Sequence, residues 1–128
     1  MAKRILIVDD DQTIADMLEQ VLLHEGYSAR KTTQSLRFFD DVREFQPQLI
    51  LLDLMMPYLD GGDELRLLAL QPDATPIPVI MVTAHPEAKS HEEEYRALGV
   101  TAIVAKPFEL QNLLELVHTT IGKPEENA

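Results

Sequence analysis

The 128-residue chain contains no cysteine, and basic residues are scarce relative to acidic ones. The absence of cysteine excludes a disulfide scaffold, a thiolate metal site and a cysteine nucleophile. Lys and Arg number 11 against 22 Asp and Glu, which gives a formal net charge of −11. This charge balance argues against nucleic acid or an anionic membrane as a partner of the whole surface.

Long hydrophobic runs are also missing. No uncharged apolar stretch approaches the length of a membrane span, and the apolar run near the N-terminus is too short for a secretory signal. We therefore expect a cytoplasmic protein with no membrane partner and no direct contact with nucleic acid. The contents of hydrophobic residues (45%) and charged residues (26%) are those of an ordinary globular protein, and the length predicts one domain.

Short apolar runs alternate with helical patterns along the chain. Most of these runs are apolar on both faces, which is typical of strands in a parallel sheet covered by helices. Strand–helix–strand units of this length predict parallel pairing with right-handed crossovers, and hence a (βα)5 fold of the α/β class. The predicted strands cover residues 4–8, 28–32, 49–52, 77–82 and 102–105.

The first predicted helix has the clearest periodicity. An aspartate precedes it as N-cap, Gly26 ends it, and its apolar residues step along one stripe that we expect to face the sheet. A fourth helix, over about residues 87–98, has few apolar residues and is either a solvated helix or a partner-binding face. The apolar residues of the first, second, third and fifth predicted helices are, in that order, Ile14, Met17, Leu18, Val21 and Leu22; Phe38, Val42 and Phe45; Leu65, Leu68 and Ala69; and Leu110, Leu113, Leu114, Val117 and Ile121.

Residues with chemical capacity follow the predicted strands. Open parallel sheets bind ligands beyond the carboxyl ends of their strands. Asp9 and Asp10 follow the first run and Asp53 follows the third, while Thr83 and Lys106 follow the fourth and fifth. We therefore expect these side chains to converge at one edge of the sheet.

The convergence of carboxylates predicts a cation site. Two carboxylates about 5 Å apart repel by roughly 3 kcal/mol at an effective dielectric constant near 20. With no His or Cys adjacent, an all-oxygen site favours Mg²⁺ or Mn²⁺. A metal, the Lys106 ammonium and the Thr83 hydroxyl around one carboxylate form a receptacle for a phosphoryl group, and that carboxylate can act as the nucleophile.

Four segments carry a family resemblance. They read Ile-Leu-Ile-Val-Asp-Asp-Asp at 5–11, Leu-Leu-Asp-Leu-Met-Met-Pro at 51–57, Pro-Val-Ile-Met-Val-Thr-Ala at 78–84 and Ala-Lys-Pro-Phe at 105–108. In these segments the chain resembles a bacterial two-component response regulator receiver domain. The resemblance implies a flavodoxin-like, doubly wound sheet with strand order 2-1-3-4-5, a receiver domain over residues 1–121 and a C-terminal tail or linker stub over 122–128.

The resemblance also implies roles for individual residues. Asp53 would be the phosphoacceptor, and Asp9 and Asp10 with Asp53 and the backbone carbonyl of Met55 would hold Mg²⁺. Thr83 and Lys106 would contact the phosphoryl oxygens, and the bond between Lys106 and Pro107 is often cis in the family.

The partners implied are a sensor histidine kinase or histidine phosphotransfer protein as donor and an unidentified downstream effector protein or domain. The domain would catalyse only its own phosphorylation and dephosphorylation. Switching would act through the fourth helix, fifth strand and fifth helix. One position departs from the family pattern, because Ile103 stands where an aromatic residue usually takes part in the switch.

Two other functions fit parts of the sequence. Asp9-x-Asp11-x-Thr13 after an apolar strand resembles the opening motif of haloacid-dehalogenase-type phosphatases, with Asp9 as nucleophile. A receiver-shaped binding module that never carries phosphate is the second alternative. Asp10 and Asp11 could also simply cap the first helix.

Overall fold

The computed structural model describes residues 3–34, 37–53, 77–84 and 89–124. Within them, strands and helices alternate along the chain. The third predicted helix lies outside the described residues. In chain order the elements are β1 (Arg4–Val8), α1 (Gln12–Glu25), β2 (Ser28–Thr32), α2 (Phe38–Phe45), β3 (Leu49–Leu52), β4 (Val79–Thr83), a 3-10 turn (Lys89–His91), a short helix (Glu92–Ala97), β5 (Val100–Ala105) and a C-terminal helix (Leu110–Ile121).

The strands form one parallel sheet in the order β2-β1-β3-β4-β5. Its centre is the apolar set β1, β3 and β4, and the more polar β2 and β5 lie at the edges. The predicted α/β class, the doubly wound flavodoxin-like architecture and the strand order are confirmed. Strand order reverses between β1 and β3, which is where sheets of this type bind ligands.

Both faces of the sheet are covered. Alternate residues of each strand point to opposite faces, so Leu6 and Val8 belong to one buried cluster and Ile5 and Ile7 to another. Phe38 of α2 completes the first cluster, whereas α1 and the C-terminal helix cover the second. Each fully buried aliphatic side chain contributes about 1.5–3 kcal/mol to the stability of the fold relative to an exposed one. The packed sheet therefore holds the residues at its carboxyl edge in place.

The first helix has the predicted caps but a narrower buried face. The Asp11 carboxylate accepts hydrogen bonds from the first backbone N–H groups of α1, and Gly26 ends the helix with φ of 106°. The buried residues are Ala15, Leu18 and Leu22, whereas Met17 is 37% exposed. The expectation that Met17 faces the sheet is wrong, because at 100° per residue it lies about 130° from the middle of the buried stripe.

Other boundaries differ from the sequence pattern for identifiable reasons. β4 begins at Val79, after Pro78, which has no N–H to donate to a ladder. β5 begins at Val100, where the exposed Thr101 interrupts the apolar pattern of an edge strand. The helix predicted near 87–98 spans only Glu92–Ala97 and buries no residue. Among the described residues, no helix has the length and apolar character needed to cross a membrane.

Candidate phosphoryl-transfer site

Three residues of the site lie one position beyond a strand, and each is held by a backbone hydrogen bond to the neighbouring strand. The N–H of Asp9 donates to the carbonyl of Thr32 at 3.0 Å, and that of Asp53 donates to Val8 at 2.8 Å. The N–H of Lys106 donates to Thr83 at 2.9 Å. The ladder thus continues one residue past β1, β3 and β5, and their side chains meet at one edge.

Lys106 bridges the two buried carboxylates. Its Nζ lies 2.7 Å from Oδ2 of Asp9 and 3.2 Å from Oδ2 of Asp53. Asp9 and Asp53 are 2% and 6% exposed, so this contact between acids and ammonium is shielded from water on most sides. The predicted convergence of residues 9, 53 and 106 is present in the structure.

Burial and pairing act in opposite directions on the charged groups. Burial raises the pKa of the Asp9 carboxyl above its ordinary value, and hydrogen bonds from Lys106 and from the Asp11 N–H only partly offset this. Burial also disfavours the charged form of Lys106, but the attraction of Asp9 and Asp53 outweighs it and raises the pKa of the ammonium. The Lys106 ammonium therefore stays protonated at neutral pH, while the charge on Asp9 is costly.

The acidic cluster suits a hard divalent cation. Carboxylate oxygens of Asp9, Asp10 and Asp53 all lie within 4.8 Å of one another, and Asp10 is exposed to solvent. Oxygen is the donor type that Mg²⁺ and Mn²⁺ prefer, and the exposed side of the cluster would admit an ion that keeps part of its water shell. Three carboxylates opposed by one ammonium leave a negative charge that such an ion would neutralise.

Other residues of the predicted site differ in how far the structure describes them. Thr83 ends β4 and is 1% exposed, with its backbone joined to Lys106. The carbonyl of Met55 lies outside the described residues. Asp11 caps α1 through Oδ1, which accepts from the N–H groups of Thr13 and Ile14 at 3.0 and 3.2 Å. The capping interpretation therefore holds for Asp11.

The sequence reasoning missed a buried polar pair next to the site. Thr32, at the end of β2, donates its hydroxyl to Oδ2 of Asp41 in α2 at 2.6 Å. Both residues are buried, at 3% and 6% exposure. One signal was available, because Asp41 lies three residues after Phe38 and hence on the inner side of a helix whose apolar anchor is that phenylalanine.

The comparison with known families agrees with this geometry. The profile of the response regulator receiver domain matches residues 5–118, nearly the whole chain. The chain belongs to the response regulator receiver family. It is accordingly a signalling domain of two-component systems, and the cis bond between Lys106 and Pro107 that the resemblance implied is present.

Individual relatives of this receiver domain fall into two groups by length. The DNA-binding response regulator MtrA of Mycolicibacterium smegmatis is 33% identical over 126 residues, which cover 98% of this chain and 54% of MtrA. The chain thus spans about half the length of that relative. The polar-differentiation response regulator DivK of Brucella ovis is 30% identical over 122 residues, covering 95% of this chain and 98% of DivK.

A solved structure gives the same result for the fold. The signal receiver domain of a response regulator from Bermanella marisrubri superposes with a TM-score of 0.84 at 30% identity, covering 94% of this chain and 99% of that one. The receiver architecture is therefore shared along almost the full length of both chains.

Proposed function

We propose that this receiver domain accepts a phosphoryl group on Asp53 with Mg²⁺ bound beside it. The observation that carries the proposal is the contact of one lysine ammonium with two buried carboxylates, 2.7 and 3.2 Å away, inside an acidic cluster. Asp9, Asp10 and Asp53, with the carbonyl of Met55, would hold the ion. When bound, Mg²⁺ would neutralise charge on the transferred phosphoryl oxygens.

In the transfer step, a carboxylate oxygen of Asp53 attacks phosphorus. The new oxygen–phosphorus bond forms as the bond from phosphorus to the donor imidazole nitrogen breaks, and the electron pair stays on that nitrogen. Hydrolysis of the resulting acyl phosphate returns Asp53 and inorganic phosphate. The domain thus catalyses its own phosphorylation and dephosphorylation and turns over no separate metabolite.

Lys106 and Thr83 would contact the phosphoryl oxygens. Lys106 is already within 3.2 Å of the attacking carboxylate, so a small displacement brings its ammonium to a phosphoryl group carried there. The Thr83 hydroxyl would supply an uncharged donor at the end of β4. We assign the charge stabilisation mainly to Lys106, because its ammonium carries a full positive charge and the hydroxyl only a dipole.

The donor would be a phosphohistidine on a sensor histidine kinase or a histidine phosphotransfer protein. The output would pass through the surface of the Glu92–Ala97 helix, β5 and the C-terminal helix, to an effector protein or domain. Ile103 of β5 is 6% exposed and lies in the same buried cluster as Met81, so the readout would depend on apolar packing instead of an aromatic rotamer. Residues 1–121 would form the receiver and 122–128 a tail or linker.

Intact-mass spectrometry after incubation with a small phosphodonor and Mg²⁺ tests the proposal. We expect one added phosphoryl group that is labile to base, and none on Asp53→Asn. An adduct lost in Asp9→Asn but retained in Asp53→Asn would favour the phosphatase mechanism instead. A folded wild-type protein that takes up no phosphoryl group from either a small donor or a phosphohistidine protein would favour the binding module.

A further inference from the structure

The buried hydrogen bond between Thr32 and Asp41 fastens α2 to the last residue of an edge strand. The two oxygens of the Asp41 carboxylate divide their contacts. Oδ2 accepts the Thr32 hydroxyl at 2.6 Å, whereas Oδ1 lies 3.6 Å from Arg30 and 3.9 Å from Arg37. Both arginine side chains are more than 40% exposed, so the two ion pairs are accessible to solvent. The hydrogen bond from Thr32 is buried.

Thr32 reaches the acidic cluster through its backbone. It stands opposite Val8 in the parallel register of β1 and β2, and its carbonyl accepts the N–H of Asp9 at 3.0 Å. β2 is an edge strand, so the sheet supports Thr32 from one side only. The side-chain bond to Asp41 supplies a second attachment for the residue that fixes the backbone of Asp9.

The carboxylate of Asp9 is then oriented from two directions. Oδ1 accepts the N–H of Asp11 at 2.9 Å, and Oδ2 accepts Nζ of Lys106 at 2.7 Å. The hydrogen bond from the Asp9 N–H to the Thr32 carbonyl fixes the main chain from which this side chain extends. A shift at the end of β2 would therefore displace a ligand of the cation rather than only loosen the edge of the sheet.

We propose that Thr32 and Asp41 are positioning residues for the cation site, acting through the backbone of Asp9. This inference rests on the proposed function, in which Asp9 binds Mg²⁺. Partners that orient metal ligands directly are worth roughly 10- to 100-fold in metal affinity, and Thr32 and Asp41 act one step farther away, so we expect about a 3- to 10-fold effect.

The test measures Mn²⁺ affinity by electron paramagnetic resonance, which reports free Mn²⁺. Thr32→Val keeps the side-chain shape but has no hydroxyl, and Thr32→Ser restores the hydroxyl. Thr101→Val makes the same exchange at an exposed position of the other edge strand. We expect about 3- to 10-fold weaker binding for Thr32→Val, and wild-type binding for Thr32→Ser and Thr101→Val.

Two variants of Asp41 separate the hydrogen bond from the charge. Asp41→Asn removes the negative charge but keeps an acceptor for the Thr32 hydroxyl, and we expect Mn²⁺ affinity within about twofold of wild type because the lost ion pairs are exposed. Asp41→Ala removes the acceptor and should weaken binding as Thr32→Val does. If Thr32→Val does not fold, the Asp41 pair alone decides the question.

The outcomes distinguish this inference from the function on which it rests. Unchanged Mn²⁺ affinity in folded Thr32→Val and Asp41→Ala, with only a lower melting temperature, would show a purely structural role and overturn the inference. Equal losses in Asp41→Asn and Asp41→Ala would assign the effect to charge and also overturn it. Failure of the wild type to bind Mn²⁺ would instead refute the cation site itself.

Discussion

Replacement of Asp53 by Asn should stabilise the metal-free protein. The substitution removes one charge from a cluster in which carboxylate oxygens lie within 4.8 Å of one another. At that separation each neighbouring acid repels Asp53 by about 3 kcal/mol at an effective dielectric constant near 20, and water reduces the part due to the exposed Asp10. The attraction to Lys106, 3.2 Å away, contributes about 5 kcal/mol in the opposite direction.

These Coulomb contributions nearly cancel, so the cost of burying the charge decides the sign. The Asp53 side chain is only 7% exposed, and removing a carboxylate from water costs several kcal/mol even after relaxation. Asn has the same shape, and its carbonyl can still accept from Lys106. We expect a net gain of about 1–2 kcal/mol in the free energy of unfolding, or about 3–10 °C in melting temperature.

The assay is thermal unfolding followed by circular dichroism, first with a chelator and then with Mg²⁺. Glu115→Gln is the matched control, because it removes one exposed charge from the C-terminal helix and reports the relief of general repulsion in a chain of net charge −11. Mg²⁺ at one hundred times the wild-type dissociation constant should stabilise the wild type by about 2.7 kcal/mol and Asp53→Asn by less. Strong destabilisation by Asp53→Asn without metal would refute the crowded-acid argument.

Three further predictions use other parts of the structure. Lys106→Met should change the free energy of unfolding in the opposite direction to Asp53→Asn. We expect a loss of about 2–4 kcal/mol in melts with a chelator, because the substitution removes the ammonium that contacts two buried carboxylates. Mg²⁺ affinity measured by calorimetry should fall as pH falls through the raised pKa of Asp9, above the ordinary 3.8, because a proton competes with the ion for that carboxylate. In the same interval the metal-free fold should gain stability as pH falls, since the native state then binds more protons than the unfolded state. Phe38→Ala should cost about 3–5 kcal/mol in denaturant melts, since Phe38 is 1% exposed and lies in the core cluster.

The part of the site that follows from strand ends was predictable from the sequence. Apolar runs end directly before Asp9, Asp53 and Lys106, and parallel strands bring such positions to one edge whatever the details of packing. The caps of α1 were predictable for a similar reason, since Asp11 and Gly26 act within one turn of the chain. Local signals of this kind need no knowledge of the neighbouring elements.

The features that the sequence did not predict depend on contacts between elements. Met17 fits the predicted stripe of α1, but the helix buries the face of Ala15, Leu18 and Leu22 and leaves Met17 exposed. Asp41 lies on the same face of α2 as Phe38, but the sequence does not show that Thr32 of the edge strand lies against that face. Periodicity gives the faces of a helix and not what packs against them.

The most direct test of the central claim locates the phosphoryl group chemically. Borohydride reduces an acyl phosphate to an alcohol, so treatment of the phosphorylated domain converts the modified aspartate to homoserine, which peptide mass spectrometry can locate. The account predicts homoserine at position 53 and at no other aspartate, and only in samples that received both phosphodonor and Mg²⁺. Homoserine at position 9 or 10, or an unmodified residue 53 in a sample shown to carry phosphate, would contradict it.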